Sequence, residues 1–122
     1  NALNFRRAEL LHDVMLRHDD PDTPVYITES GWNDNIRWTK AVRPSERAIY
    51  TIESFELAEE EWPWLEELCI WAFRYPAPTF SYPDNFTLVT PDFQLKPIYY
   101  AIQAYAREQE RKGPQWLPRP DA

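Results

Sequence analysis

Residues 25–32 read VYITESGW, a run of β-branched and apolar side chains that carries one carboxylate, Glu29, near its end. Such a run predicts a buried strand over residues 25–29, and strand alternation would place Val25, Ile27 and Glu29 on one face. Burying an unpaired charge is costly, so this carboxylate must be paired, solvated or used in chemistry. Ligands of parallel α/β folds bind at the carboxyl ends of strands, which makes Glu29 a candidate functional residue. The alternative is a strand-end Glu that only meets water or a helix N-terminus.

Patterns on both sides of this strand predict the order helix, strand, helix, strand, helix. Apolar side chains at helical spacing predict helices over residues 4–18, over residues 44–62 and from Pro97 onward. Asn4 is the predicted N-cap of the first helix, and a proline in the first turn suits the other two. The second strand is predicted over residues 68–73, LCIWAF, because an almost continuous apolar run is typical of a strand covered on both faces.

Strands that alternate with helices predict βαβ units, so the fold class is α/β with two adjacent parallel strands. A sheet of two strands leaves N–H and C=O groups unpaired along both outer edges, and the helices' apolar stripes require a wider sheet to cover. We therefore expect residues 1–122 to be a single segment of a larger fold, or to complete the sheet with another chain. Residues 112–122 are expected to form a tail.

The composition argues against several classes of partner. The net charge is −7 and the basic residues form no stripe, so neither a nucleic-acid surface nor an anionic membrane surface is expected. The apolar runs are too short to span a bilayer, and no secretory signal is visible. Cys69, the single cysteine, lies in an apolar run and is interpreted as a small core residue. Nothing in the sequence indicates the localisation.

The sequence carries no cofactor motif, and a metal site is not expected. Phosphate-binding glycine patterns and the nucleophile elbow of α/β-hydrolases are both missing from it. His12 and His18 are surrounded by aspartates, but they are six residues apart and do not share a helix face, so solvent-facing roles are preferred. Aromatic residues make up 16% of the chain, including six Trp, which suits either a thick core or a surface for sugar rings.

Side chains suited to a sugar site follow the two predicted strands. Hydrolysis by carboxylates needs two carboxyl groups that flank the glycosidic bond, with aromatic platforms around them. If the strands are parallel neighbours, Glu29 and Trp71 should converge on the same edge of the sheet and point to the same side. The candidate substrate-binding residues are Trp71, Trp32, Asn33, Trp38 and Tyr75, of which the last four could equally be packing residues.

With these motifs the chain resembles the C-terminal part of a retaining glycoside hydrolase of the large clan built on the TIM (β/α)₈ barrel. In that clan the nucleophilic Glu ends the seventh strand in a Thr-Glu context, which residues 27–32, ITESGW, match. The eighth strand often carries the Trp of the sugar floor, which residues 70–73, IWAF, match. Residues 88–101, LVTPDFQLKPIYYA, are similar to the usual approach to the final helix.

The resemblance implies the last two strands and last three helices of the barrel. It also implies a carbohydrate substrate, with Glu29 as the nucleophile of a covalent glycosyl intermediate and Trp71 as the floor of the sugar site. The clan's acid/base Glu ends the fourth strand, usually after Asn, and no segment here matches it. The chain alone is therefore expected to be inactive, and its expected partner is the remainder of the barrel or a copy of itself. Sugar, linkage and endo or exo action are not readable.

A second hypothesis belongs to a different class. The chain could be a non-catalytic α/β interaction module that is stable only as an oligomer, with its aromatic residues in the interface. A sugar analogue bound near Glu29 would favour the glycosidase, whereas a large apolar interface covering Glu29 would favour the interaction module.

Overall fold

The computed structural model describes residues 5–113, and the predicted order of helices and parallel strands is confirmed. Asn4, the predicted N-cap, and residues 114–122 of the predicted tail lie outside this range, whereas Lys112 belongs to the last helix. The elements in chain order are a 3₁₀ turn Phe5–Arg7, α1 Ala8–Arg17, β1 Val25–Ser30, α2 Pro44–Glu61, β2 Leu65–Ile70, a second 3₁₀ turn Tyr82–Phe86 and α3 Pro97–Lys112.

Helix α2 connects the two parallel strands and has the predicted ends. Its first turn contains proline, and the Glu46 carboxylate accepts a hydrogen bond of 2.8 Å from the Arg43 backbone N–H. The helix ends before Pro63, which could not continue it without losing a backbone donor. The outer face of α2 is acidic, because Glu53, Glu56 and Glu60 are all exposed.

The most deeply buried face of α2 is polar, which the apolar periodicity did not indicate. Arg47, Thr51 and Ser54 are the buried residues of this helix. The Thr51 hydroxyl donates to the Arg47 carbonyl at 2.8 Å, and the Ser54 hydroxyl donates to the Thr51 carbonyl at 2.7 Å. These hydroxyls are thus satisfied within the helix itself. The predicted apolar positions flank this stripe and are mostly half-buried: Ala48, Ile52, Phe55 and Ala58.

Strand β2 begins and ends three residues earlier than predicted, over Leu65–Ile70 rather than residues 68–73. Trp71 still donates its N–H to the Ser30 carbonyl of β1, but from Ala72 onward the backbone pairs with a later loop instead of continuing along β1. The Ala72 N–H donates to the Phe86 carbonyl at 3.1 Å, and the Leu88 N–H donates to the Ala72 carbonyl at 2.9 Å. The apolar run therefore extends past the strand because its last residues are hydrogen-bonded to that loop.

Helix α1 leaves part of its apolar stripe exposed. Leu11 is 53% exposed and Val14 is 46% exposed, and no residue of α1 is buried. The contact that holds the middle of the helix is a stack of the His12 ring on the Trp64 ring, with centroids 4.6 Å apart. This exposure agrees with the expectation that the apolar stripes of the helices require a wider sheet to cover them.

A continuous row of aromatic rings forms the main packing on this side of the molecule. Ring centroids are separated by 4.6, 5.1, 5.1, 5.6 and 5.8 Å along the row. Aromatic pairs at such distances contribute about 0.5–1.5 kcal/mol each beyond the area they bury. Much of the aromatic surplus thus stabilises the fold rather than binding a ligand. The aromatic row consists of His12, Trp64, Trp62, Phe5, Trp32 and Tyr50.

We predict that the chain associates with itself when it is folded. Among residues 5–113 no third strand joins the sheet, so each strand has one open edge, and α1 exposes apolar side chains. Open strand edges and large apolar surfaces are typical sites of association. Light scattering over a range of concentrations should show a mass that rises with concentration, while circular dichroism confirms that the protein is folded. A folded chain that stays monomeric at every concentration would contradict this.

Candidate active site

Glu29 is exposed near the carboxyl end of β1, and its side chain makes no hydrogen bond or ion pair with another residue in the range 5–113. A register shift between Ile27 and Ser30 adds one residue to β1 at this point. Thr28 and Glu29 are both exposed, so the simple alternation predicted for Val25, Ile27 and Glu29 is interrupted. Irregularities of this kind bend a strand and re-aim its side chains, and they are frequent next to active sites.

Trp71 follows β2 directly and stands at the same edge of the sheet. Its backbone N–H donates to the Ser30 carbonyl at 2.8 Å, one residue beyond Glu29. Its indole is 42% exposed, and the indole N–H donates to the Tyr75 hydroxyl at 2.9 Å, which fixes the orientation of the ring. The peptide bond from Trp71 to Ala72 is cis. Glu29, Trp71 and Tyr75 are thus the predicted residues that share this edge.

Asn33 is only 2% exposed, and its side chain joins two loops. The amide nitrogen donates to the Tyr82 carbonyl at 2.7 Å, and the amide oxygen accepts from the Asn35 N–H at 2.8 Å. Both ends of the amide are therefore engaged by backbone groups. In this arrangement Asn33 positions the loops and presents no group to a ligand.

The two tryptophans of the loop after β1 lie in different places. Trp32 belongs to the aromatic row, between Phe5 and Tyr50, and so is turned toward α2. Trp38 packs against Tyr82 at 5.9 Å and Phe86 at 6.3 Å, which joins the loop after β1 to the loop after β2. Trp38 remains partly exposed at the end of the molecule where both strands finish.

A buried guanidinium behind this edge was not found by sequence reasoning. Arg47 is 1% exposed and donates from Nη1 to the Thr87 carbonyl at 3.1 Å and from Nη2 to the Phe86 carbonyl. Its Nη1 also lies 3.6 Å from Oδ2 of Asp34, and the other carboxylate oxygen of Asp34, Oδ1, accepts a hydrogen bond from the Asn85 amide at 2.9 Å. Burial lowers the pKa of Arg47, and the Asp34 carboxylate opposes that shift.

Lys96 completes the support of the 3₁₀ turn after β2. Its ammonium donates to the Asp84 carbonyl at 2.8 Å and to the Thr87 hydroxyl at 2.7 Å. Burial lowers the pKa of Lys96, and the charge of Arg47 lowers it further. Both cations line a pocket of about 330 Å³ between the first turns of α2 and α3. Most donors of these two cations are used in hydrogen bonds to neighbouring backbone carbonyls. We therefore interpret the cations around this pocket as stabilising the fold rather than binding a ligand.

The other side chains that could bind a metal ion or act as nucleophiles do not form clusters among residues 5–113. Among residues 5–113 no group of three or more His, Cys, Asp or Glu side chains is arranged to hold a metal ion. Cys69, interpreted from the sequence as a core residue, is only half-buried, and its hydrogen bond to the Glu67 carboxylate is the first cause that raises the pKa of the thiol. Within the same range, no helix combines the length and the apolar character needed to cross a membrane.

The residues at the strand ends include a carboxylate that could react with a ligand and an aromatic ring on which that ligand could stack. It combines a solvent-accessible carboxylate with an indole whose orientation is fixed by a phenol. No family model, curated protein or solved structure matches this chain. Over residues 5–113 the structure is a mixed α/β arrangement of three α-helices and a two-stranded parallel sheet.

We predict that Gly31→Ala destabilises the protein by about 1–3 kcal/mol, because Gly31 has a φ of +147°, a conformation in which an alanine is strained. A Cβ at this position would also lie 3.1 Å from the Trp71 carbonyl oxygen. The measurement is the free energy of unfolding in urea. Gly113→Ala is the matched control, since Gly113 has a φ of +83° but open space around it. A loss at Gly31 no larger than at Gly113 would show that the close approach is unimportant.

The Asp84 carboxylate gives the fold a defined sensitivity to acid. Its oxygens accept hydrogen bonds of 2.9 and 3.0 Å from the Thr79 N–H and of 2.9 Å from the Phe80 N–H. Desolvation raises the pKa of Asp84, but these bonds and the nearby Lys96 charge outweigh it, so the pKa lies below its ordinary value. A lowered folded-state pKa stabilises the protein above the unfolded pKa of about 3.9, and the stabilisation is lost as the pH falls through the folded-state value.

We therefore predict that Asp84→Asn removes part of the loss of stability between about pH 4 and the lower folded-state pKa. Unfolding free energies measured at several pH values should give a flatter acid limb for this variant. Asp22→Asn is the control, because Asp22 is exposed and forms no hydrogen bond or ion pair within the described range. Identical acid limbs for Asp84→Asn and the unsubstituted chain would contradict the assignment.

Proposed function

We propose that this chain is the C-terminal part of a retaining glycoside hydrolase of the (β/α)₈-barrel clan, and that Glu29 is its nucleophile. The observation that carries the proposal is the edge formed by two adjacent parallel strands. There, the Trp71 N–H donates a hydrogen bond of 2.8 Å to the carbonyl of Ser30, the residue that follows Glu29. An accessible carboxylate without a partner side chain among residues 5–113 and an exposed indole thus follow each other across two neighbouring strand ends.

The packing of the helices supports a place in a larger α/β layer. Helix α2 connects the two strands, and α3 lies against α2 on the same layer, with the Phe55 and Tyr105 rings 5.4 Å apart. The Tyr105 hydroxyl also donates to the Glu59 carboxylate at 3.3 Å. Neighbouring helices over consecutive parallel strands are what a (β/α)₈ barrel requires.

In the proposed reaction the Glu29 carboxylate attacks the anomeric carbon and forms a glycosyl ester, while the bond to the leaving oxygen breaks. A second carboxyl group about 5–5.5 Å away protonates that oxygen, then deprotonates the water that hydrolyses the ester. The resemblance assigns this second group to the fourth strand of the barrel, which no segment of this chain matches. The Trp71 indole, oriented by Tyr75, lies beneath the sugar ring and excludes water from one face.

We predict that Glu29→Gln, made in the enzyme that carries this chain within a complete barrel, lowers turnover of aryl glycosides by roughly 10³-fold or more. The amide cannot form the ester, but it keeps the shape of the site, so sugar binding should persist. Glu66→Gln is the control, because Glu66 is an exposed carboxylate of β2 far along the strand from Trp71. Normal turnover in Glu29→Gln would reject Glu29 as the nucleophile.

The isolated chain supplies a complementary test. Since the acid/base carboxyl is not part of it in this proposal, the chain by itself should not turn over aryl glycosides. Measurable hydrolysis by the purified chain that disappears in Glu29→Gln would mean that a second carboxyl of this chain completes the site. Hydrolysis that survives in Glu29→Gln would reject the assignment of the nucleophile.

The second candidate is a non-catalytic interaction module, favoured by the open strand edges and the exposed apolar side chains of α1. In that case the surface around Glu29 would be covered by a partner. Hydrogen exchange of the Val25–Ser30 backbone distinguishes the two functions. Protection that grows with protein concentration at this edge favours the interface, whereas protection by added sugars favours the glycosidase.

A further inference from the structure

We propose that a pocket on the helical side of the molecule binds a small organic cation with apolar substituents, such as a quaternary ammonium ion. The pocket has a volume of about 280 Å³ and lies between the first 3₁₀ turn, the loop after β1 and helix α2. Neither Glu29 nor Trp71 lines it, so the proposal is independent of the glycosidase site. The residues that carry the argument are Phe5, Arg6, Trp32, Tyr50 and Glu53.

Three aromatic rings, together with Leu57, supply the apolar part of this pocket. The Trp32 ring lies between Phe5, at a centroid distance of 5.6 Å, and Tyr50, at 5.8 Å. The rings are tilted by 36° and 49° rather than stacked flat. The face of an aromatic ring carries negative potential and attracts a cation within about 6 Å of its centre, and a cation that also has apolar substituents gains contact with several rings.

The charges around the pocket favour a cation over an anion. The Glu53 carboxylate is exposed and forms no hydrogen bond or ion pair with the other residues of the range 5–113. The Arg6 guanidinium is bound by two carboxylates, at 2.7 Å from Glu9 and at 2.7 Å from Glu61. Of the two charged side chains that line the pocket among residues 5–113, Arg6 is thus already bound by carboxylates, and the Glu53 carboxylate is the one that can attract an added cation.

Size and polarity narrow the ligand further. A volume of about 280 Å³ is near the lower end of ligand pockets, which measure about 300–1,000 Å³, so it suits a small molecule. The Ser54 hydroxyl at the wall already donates to the Thr51 carbonyl. A quaternary ammonium needs no hydrogen bond, because it is recognised by aromatic faces and a nearby carboxylate. Its binding therefore does not compete with the hydrogen bonds that stabilise the pocket.

The test is a titration of the ¹⁵N-labelled chain with tetramethylammonium chloride, followed through the indole N–H signals. We expect saturable shifts at millimolar concentrations, with the Trp32 signal moving most. Sodium chloride at equal ionic strength and methyl glucoside are the control ligands.

Glu53→Gln should raise the dissociation constant of tetramethylammonium by about threefold to fivefold, as expected for loss of one exposed carboxylate. Glu60→Gln, which removes the same charge from an exposed position of the same helix, should leave it unchanged.

Each outcome of the titration decides the proposal. Saturable shifts of Trp32 that weaken in Glu53→Gln but not in Glu60→Gln support the cation site. Shifts that sodium chloride reproduces, equal weakening in both variants, or tighter binding of methyl glucoside would overturn it. Glu53 is exposed, so both variants should fold, and circular dichroism verifies this. Turnover in the complete barrel, which reports on Glu29, does not depend on the result.

Discussion

The Arg47 guanidinium is the interaction on which the carboxyl edge of the sheet depends. It reaches from the first turn of α2 to two backbone carbonyls at the end of the second 3₁₀ turn, those of Phe86 and Thr87, and lies beside the Asp34 carboxylate. A buried charge of this kind is tolerated only when its surroundings satisfy it, and removing one partner typically costs about 3–5 kcal/mol. The loops after both strands are therefore fixed to one helix by a single side chain, and either loop could move only if the charge lost its partners.

The same contacts also fix the backbone next to the candidate active site. The segment that Arg47 holds also accepts the Ala72 N–H through the Phe86 carbonyl, so the chain leaving β2 is tied down one residue after Trp71. On the other strand, Asn33 ties the loop after Glu29 to the Tyr82 carbonyl. Both proposed functional side chains thus stand on backbone that is anchored immediately beyond them. A nucleophile and an aromatic platform need such anchoring, because small displacements of reacting groups are costly in rate.

The sequence predicted the order and direction of the elements because apolar periodicity and proline positions determine them locally. It did not predict the limits of β2, since these depend on the bonds of Ala72 to Phe86 and Leu88, which are remote in sequence. It also missed Arg47, because an arginine on a helix reads as solvent-facing unless its distant carbonyl partners are known. The position of Glu29 and Trp71 at one edge of the sheet was predictable because residues at the ends of parallel strands converge wherever the strands are neighbours.

The aromatic surplus that first suggested a sugar site has two separate roles in the structure. Trp62 is buried between two rings and donates its indole N–H to Glu9 at 2.9 Å, so it belongs to the core. Trp71 is exposed, and its polar partner is a single phenol, so its face is open to a ligand. Trp32 lies one ring before the Tyr50 end of the aromatic row, where the row also lines a pocket that includes the Glu53 carboxylate. The same residue type therefore packs in the core or leaves a face exposed according to the number of rings around it, and only the exposed rings are candidates for binding a ligand.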